Sequence, residues 1–274
     1  MTESHIEAVL ARRRPWAVVQ GDCLDVMRML PAHSIDHVIT DPPYETSTHT
    51  KSRRSSRGAG KLTADGRRRS EIMVEFPIDF DPMDPATRYM CGKLWARLCR
   101  RWCLVFCQTE GVKLWRDACE AYGFGHRRAM VWVKPDSAPQ FTGDRPAAGY
   151  EMIETLHAPG RSTWNGGGSR GVYVYNCNSQ TRKPDEDHQT PKPLELMMEL
   201  VELFTDPDDL IIDPFCGSGT TIVAAVRLGR RAIGIERDPK YAQLAIDRVS
   251  AEVQGSTLQA VRAGQIPLFG GDAS

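Results

Sequence analysis

One junction constrains this chain more than any other. Residues 209–215, Asp-Leu-Ile-Ile-Asp-Pro-Phe, run into Gly-Ser-Gly-Thr-Thr and then the apolar-periodic stretch Ile222–Leu228. The Leu-Ile-Ile run reads as a strand with both faces buried, and Pro214 stops it. Gly217 and Gly219 allow a tight turn, so a helix starts within a few residues of the strand end. A second apolar run, Arg230–Asp238, follows that helix at once. Strand, helix and strand in that order make a crossover unit, which adds its strands parallel to one another.

The same alternation runs along the whole chain. Residues 16–24 read as a short buried strand, with Leu24, Met27 and Leu30 at helical spacing after it. Residues 35–44 form a second strand whose carboxyl end falls at Asp41, because two prolines follow. A helix starts at Asp84-Pro85 with Leu94 and Leu98 on one face, and a strand follows at 101–107. The next helix carries Val112, Trp115, Cys119 and Tyr122 and stops at Gly123. Strands 126–135 and 151–158 follow, then a short candidate strand in 171–176. An amphipathic helix runs through Leu194, Met197, Met198, Val201 and Phe204, and a last helix spans 239–253. Alternating elements predict an α/β fold with a parallel, doubly wound sheet, and 274 residues suit one large domain, 1–274. Two segments break the texture. Residues 45–80 form an insertion whose 45–70 part is almost without apolar residues and reads as loop or disorder. Residues 159–187 are Gly-rich and irregular.

Composition excludes several classes. No apolar run approaches the ~18 residues of a membrane span, and the N-terminus lacks the apolar core of a signal peptide. The eight cysteines include no C-x-x-C pair. Cys99, Cys103 and Cys107 step by four, yet the Val-Phe between the last two favours a strand. Buried reduced thiols in a cytoplasmic protein, with no metal, are therefore expected. Net charge is zero, but residues 51–70 hold eight Lys/Arg against one Asp, while 185–213 hold ten Asp/Glu against one Lys. Neutrality is an average over opposite regions, and any affinity for nucleic acid is local to the basic one.

Two constellations carry chemistry. In Asp213-Pro-Phe215-Cys-Gly217-Ser218-Gly219-Thr220-Thr221, a helix N-terminus offers free N–H groups beside a backbone that can approach a ligand closely. Glu236 ends the next strand, 23 positions after Asp213, where doubly wound folds hydrogen-bond ribose hydroxyls. No Lys follows the second Gly, so this is not a phosphate-cradling loop. Asp213 suits a ligand bearing an amine better than a pyrophosphate. The second constellation is Asp41, Pro42, Pro43 and Tyr44 at another strand end. A carboxylate, a carbonyl fixed by rigid prolines and an aromatic face suit a planar base with an exocyclic amine.

Together the two strings resemble the DNA amino-methyltransferases that use S-adenosylmethionine. Because the Asp-Pro-Pro-Tyr motif precedes the Gly-x-Gly motif, the resemblance is to the beta group, which implies a circularly permuted Rossmann-like sheet with a target-recognition insertion. Asp22 and Cys23 resemble the segment at the cofactor's adenine, and His188-Gln-Thr-Pro-Lys192-Pro193 resembles the motif closing over its methionine end. The resemblance therefore implies cofactor contacts from Asp22, Cys23, Asp41, Lys192, Asp213, Phe215, Gly217, Ser218, Gly219, Thr220 and Glu236. It implies a catalytic tetrad of Asp41, Pro42, Pro43 and Tyr44, acting on adenine N6 of a flipped base in double-stranded DNA. Cytosine N4 is the alternative, and a non-catalytic DNA-binding module keeping the fold is a third reading. No Pro-Cys dipeptide is present, so C5 chemistry is not expected. The basic segment after the catalytic motif (Arg53, Arg54, Arg57, Lys61, Arg67, Arg68) is expected to hold phosphates. Arg161, Trp164, Asn165, Arg170 and Arg182 are expected to read bases or wedge the stack. A homodimer, association with the nucleoid, and action either alone or paired with a nuclease are what the family implies. In the 262–274 tail, Gln265-Ile-Pro-Leu-Phe269 resembles the peptide by which bacterial proteins dock on the sliding clamp; folding back onto the core is the other reading.

Overall fold

The computed structural model describes residues 4–44, 53–57, 72–76, 82–137, 139, 144, 146–177 and 191–264, with 53–57 and 72–76 described as backbone. The first elements are helix α1 (His5–Leu10), strand β1 (Trp16–Gln20), helix α2 (Cys23–Met29) and strand β2 (His37–Thr40). Strands β3 (Arg53–Arg57) and β4 (Ile72–Phe76) precede α3 (Pro85–Leu98), β5 (Trp102–Cys107) and α4 (Thr109–Glu120). Then come β6 (Gly125–Val133), β7 (Tyr150–His157), β8 (Val172–Val174), α5 (Leu194–Phe204), β9 (Leu210–Asp213), α6 (Thr220–Arg227), β10 (Arg231–Glu236), α7 (Pro239–Val253) and α8 (Leu258–Arg262).

Eight strands form one sheet in the order β1-β10-β9-β2-β5-β7-β6-β8. From β1 to β5 every neighbour is parallel. The expectation of a wholly parallel sheet needs correction at the far edge, where β7 runs antiparallel to both β5 and β6. Among the described residues no helix lies between β6 and β7, and a short return without a crossover helix gives an antiparallel pair. A second correction concerns 45–70. Its residues 53–57 form β3, paired antiparallel with β4. Arg-Arg-Ser-Ser-Arg has no apolar alternation to announce a strand, but ladder hydrogen bonds are made by the backbone and can recruit a polar segment beside Ile-Met-Val-Glu-Phe. The neck of this insertion is closed by Met83 N–H donating to the Tyr44 carbonyl at 3.1 Å.

Each central strand feeds two apolar layers, as alternating side chains must. In β5, Cys103, Val105 and Cys107 join the layer under α1 to α4, while Trp102, Leu104 and Phe106 join the layer under α5 to α7. Residues four apart in a strand point the same way, so Cys103 and Cys107 share one layer, which Cys99, the C-cap of α3, joins with Cys23, Cys91 and Cys119. All eight cysteines are free and seven are buried, as expected of reduced core thiols. Among the described residues there is no cluster of metal-ligand type and no helix long and apolar enough to cross a membrane. Residues 178–190 and 265–274, which include Arg182, His188 and the Gln265–Phe269 peptide, lie outside the described residues, as do Lys61, Arg67 and Arg68.

The α3–α4 contact depends on one glycine. Trp95 stacks on Trp115 with centroids 5.2 Å apart, and a Cβ on Gly92 would stand 2.4 Å from the Ala118 carbonyl oxygen. Helix propensity alone would make Gly92→Ala more stable by up to ~1 kcal/mol. The close approach should reverse that sign, with a net loss of about 1–3 kcal/mol in urea unfolding. A stabilised variant would mean the two helices can separate at no cost.

Candidate active site

The catalytic and cofactor strings meet because β2 and β9 are parallel neighbours, with His37 beside Ile211 and Val38 beside Ile212. From here the chain winds outward in opposite directions, β9 to β10 on one side and β2 to β5 on the other. Such a switch point opens a crevice at the carboxyl ends of the strands, where ligands bind in open α/β sheets. A side-chain tie closes its floor. Thr40 Oγ1 donates to Asp213 Oδ1 at 2.7 Å across 173 residues of sequence, Thr221 Oγ1 donates to Oδ2 at 2.6 Å, and Phe215 N–H donates to Oδ1 at 3.1 Å.

Asp213 is only 2% exposed. Burial lifts its pKa to about 6, against the pull of the Thr221 and Thr40 hydroxyls and the Phe215 amide. Its carboxylate is therefore occupied by its own protein and shapes the turn, whereas the sequence suggested an acid facing a ligand amine. The Asp213 and Thr40 side chains meet across neighbouring strands, a pairing that strand assignment alone does not reveal.

The turn itself is left-handed at two places, Gly217 (φ 50°) and Gly219 (φ 81°), and a Cβ on Gly219 would come within 2.9 Å of the Ala245 Cβ. Glycine is thus required both for conformation and for contact with α7. Glu236 accepts from Gly217 N–H at 2.9 Å and from Asp238 N–H at 2.8 Å, with burial raising its pKa. Beside it, Gly21 N–H donates to the Glu236 carbonyl at 2.9 Å, which sets Asp22 and Cys23 against the same rim. Asp22 caps α2, accepting from Leu24 N–H at 2.8 Å, and Cys23 is buried. Arg248 of α7 grips the other side of the loop, donating at 2.8 Å to both the carbonyl and hydroxyl of Ser218 and at 3.2 Å to the Thr220 hydroxyl.

Lys192 stands next to Asp41, one residue beyond β2. Its ammonium pairs closely with Asp41 Oδ2 and lies 3.2 Å from Glu151 Oε2 and 3.4 Å from the Tyr44 hydroxyl. Tyr44 donates to Glu151 Oε2 at 2.8 Å, and Lys134 pairs with Glu151 Oε1. Asp41 Oδ1 is buried without a hydrogen-bond partner among the described residues. Burial raises the pKa of Asp41 even though Lys192 opposes it. Burial would also lower that of Lys192, but Asp41 and Glu151 overcome it and the ammonium is held more firmly than usual. For Glu151 burial again pushes up, yet Lys192 and Lys134 bring the carboxyl down to about 2. Lys192, expected at the cofactor, thus pairs with Asp41 of the Asp-Pro-Pro-Tyr motif from a position two residues before α5.

The recognition residues are distributed differently from expectation. Trp102 Nε1 donates to the Thr163 carbonyl at 2.7 Å, and Trp164 packs on Phe204 with centroids 5.5 Å apart. Asn165 donates to the Glu202 and Thr205 carbonyls at the end of α5, at 2.9 and 3.0 Å, so it anchors the loop instead of reading bases. Arg161 and Trp164 therefore sit on the amino-end rim of the parallel strands, opposite Asp41. The reversal of β7 carries the chain there, and strand direction cannot be read from apolar pattern. Arg170 is exposed just before β8. The sequence reading missed Glu151, Lys134 and Arg248. The one signal for them was a pair of acids, Glu151 and Glu154, inside an otherwise apolar strand.

The fold and site define a class: an α/β methyltransferase with an Asp-Pro-Pro-Tyr motif at the switch point. The family model described as DNA methylase, of the N6 and N4 type, matches residues 35–247, and the chain belongs to that family. It is thus an S-adenosylmethionine-dependent DNA amino-methyltransferase. The Type II methyltransferase M.HinfI of Haemophilus influenzae is 25% identical over 268 residues, covering 85% of this chain and 67% of that one. The crystal structure of the M1.HpyAVI–SAM complex superposes with a TM-score of 0.61 at 22% identity, covering 85% of this chain and 98% of the other. PvuII DNA methyltransferase, described as cytosine-N4-specific, gives 0.65 at 15% identity, covering 92% and 94%.

The residues present fit that cofactor. Glu236 supplies an acid for hydroxyl groups, the Gly217–Thr220 turn carries no cation to pair with a phosphate, and Asp41 Oδ1 is an unused acceptor at the adjoining strand end. The Asp213 tie makes a separate prediction. Its folded carboxyl binds a proton more tightly than the unfolded value of 3.8, so the folded state takes up a proton between about pH 4 and 6 and gains stability as pH falls through that window. Relative to Asp213→Asn, wild type should gain about 2–3 kcal/mol between pH 7 and pH 4 in urea unfolding. A gap that does not change with pH would show that Asp213 is not perturbed.

Proposed function

We propose that this chain transfers the methyl group of S-adenosylmethionine to N6 of an adenine turned out of duplex DNA. The observation that carries the reading is Asp41 Oδ1, a buried carboxylate oxygen without a partner among the described residues, placed where the cofactor loop and the Asp-Pro-Pro-Tyr motif converge. A buried acceptor left unsatisfied costs about 1–3 kcal/mol, and it is used when a donor arrives. The exocyclic amine of adenine is such a donor. When bound, the cofactor supplies a methyl group on a positively charged sulfur.

An aromatic amine is a weak nucleophile because its lone pair is delocalised into the ring. Asp41 Oδ1 accepts one N–H and the Pro42 carbonyl the other, which favours a pyramidal nitrogen, while the Tyr44 ring replaces some of the stacking lost on extrusion. Extrusion costs a few kcal/mol. Alignment and fixed acceptors supply the rest of the catalysis, so no covalent enzyme intermediate is required. As the N–C bond forms and the C–S bond breaks, the nitrogen carries one proton too many. Asp41 Oδ1, with a pKa raised by burial, is placed to take it. On the cofactor side, Glu236 would hold the ribose, Asp22 and Cys23 would border the adenine, and Phe215 with Gly217, Ser218, Gly219 and Thr220 would line the remainder. Asp as the first residue of the motif favours adenine; the alternative product is N4-methylcytosine.

Asp41→Ala should reduce transfer by about a hundredfold to a thousandfold, the scale of losing a principal polar group at a reacting centre, while S-adenosylhomocysteine still binds. Nucleoside analysis of DNA from cells expressing the wild-type chain should show N6-methyladenine; N4-methylcytosine alone would move the reading to cytosine. Transfer by Asp41→Ala at the wild-type rate would overturn the catalytic assignment.

We also propose that the insertion between β2 and α3 holds DNA phosphates, since it leaves the sheet directly after the catalytic motif and carries the basic excess. Replacing Arg53, Arg54 and Arg57 together by Gln should weaken DNA binding and flatten its log–log salt dependence by about 0.9 for each phosphate no longer neutralised. An unchanged slope would exclude these three from phosphate binding.

A further inference from the structure

Glu151, at the second residue of β7, belongs to neither motif, yet it touches both halves of the amine site. We infer that Glu151 is a positioning residue for methyl transfer: it seats the Lys192 ammonium against Asp41 and fixes the Tyr44 ring, leaving Asp41 Oδ1 presented to the target amine. The inference rests on the amine-transfer reading of Asp41.

An ammonium has three N–H donors and no acceptor. Here its three neighbours are Asp41 Oδ2, Glu151 Oε2 at 3.2 Å and the Tyr44 hydroxyl at 3.4 Å. Its nitrogen also lies over the rings of Phe106, Tyr44 and Trp132, at 5.1, 5.7 and 5.9 Å. The same Glu151 oxygen takes the Tyr44 hydroxyl at 2.8 Å, which sets the rotation of the phenol that is to stack on a base. Lys134 occupies the other oxygen, so the four groups alternate in sign, Asp41, Lys192, Glu151, Lys134, and sum to zero.

The second carboxylate matters because of where the pair is buried. With Asp41 as sole partner, burial makes the ammonium easier to deprotonate, and a neutral amine no longer holds Asp41 Oδ2 by charge. Asp41 is then free to turn, and Oδ1 is no longer presented to the target amine. Glu151 opposes that loss by adding a second negative charge beside the ammonium. Among the described residues, the groups that face this pocket are Asp41 and Tyr44 beyond β2, Cys107 at the end of β5, Lys134 after β6, Glu151 on β7 and Asp213 on β9. Of these, Glu151 is the one that contacts Lys192, Lys134 and Tyr44 together.

The test is the pH profile of single-turnover methyl transfer to unmethylated genomic DNA, with saturating cofactor, between pH 6.5 and 9.5. The wild-type rate should stay level on the alkaline side, since both carboxylates hold Lys192 protonated above its ordinary range. Glu151→Gln keeps shape and loses charge. Its rate should turn down within the window and fall about tenfold per pH unit beyond the turn, while S-adenosylhomocysteine binds within about threefold of wild type, as expected for a group remote from the cofactor loop. Replacing Lys192 by Arg in that background should remove the downturn, because a guanidinium stays charged throughout. Glu151→Ala serves as a second variant with the same expected downturn. A profile parallel to wild type in either variant, even at a lower rate, reduces Glu151 to a structural role. Asp41→Asn separates the two readings. If it is inert while Glu151→Gln runs parallel to wild type, only the positioning role falls. If it transfers methyl normally, the amine-transfer reading falls and this inference with it.

Discussion

The Thr40–Asp213 hydrogen bond, laid across the parallel pair β2 and β9, is the contact on which the site depends. It joins two strand ends that are far apart in sequence and fixes their relative height, so the catalytic tetrapeptide and the cofactor turn open into one crevice. Asp213 satisfies the turn from below through Thr221 and the Phe215 amide, and Arg248 holds it from the side. The loop is thereby rigid before any ligand arrives. Pre-set dipoles and acceptors need no reorganisation during reaction, which is the main source of electrostatic catalysis.

Above that floor lies the alternating cluster of Asp41, Lys192, Glu151 and Lys134. Buried ion pairs seldom add net stability, because desolvation consumes most of the Coulomb gain. This cluster is better understood through what it holds in place. It holds one oxygen of the Asp41 carboxyl against the Lys192 ammonium and leaves the other without a partner among the described residues. At the opposite rim, Arg101 bridges Asp206 and Asp209, and Asp209 also meets buried His37. Burial lowers the pKa of His37, so that cluster ties loops together around a neutral imidazole.

Much of the fold was legible because the strands are short, apolar and bounded by strong punctuation. Asp84-Pro85 started a helix where capping chemistry said it should, Gly123 ended one in the left-handed region, and Pro214 closed β9. The cofactor turn was legible for the same reason, since its glycines are demanded by backbone conformation at Gly217 and Gly219. The errors arose where a signal was not local. Arg53–Arg57 forms a strand because Ile72–Phe76 pairs with it. Trp164 and Asn165 look like base readers by residue type, yet the reversed direction of β7 delivers them to the far rim, where they close α5.

The sequence by itself determined the chemistry at hand: the Asp-Pro-Pro-Tyr set, the glycine turn, Glu236 and the order of the two motifs, each a property of a few adjacent residues. Only the tertiary structure decided which acids are free to act. Asp213 and Asp41 both stand at the end of a short buried strand and both precede a proline, so they look alike in one dimension. Packing separates them: neighbouring hydroxyls and an amide consume Asp213, while Lys192 and, through it, Glu151 engage a single oxygen of Asp41. That difference depends on contacts across more than a hundred residues of chain, and no local pattern records them.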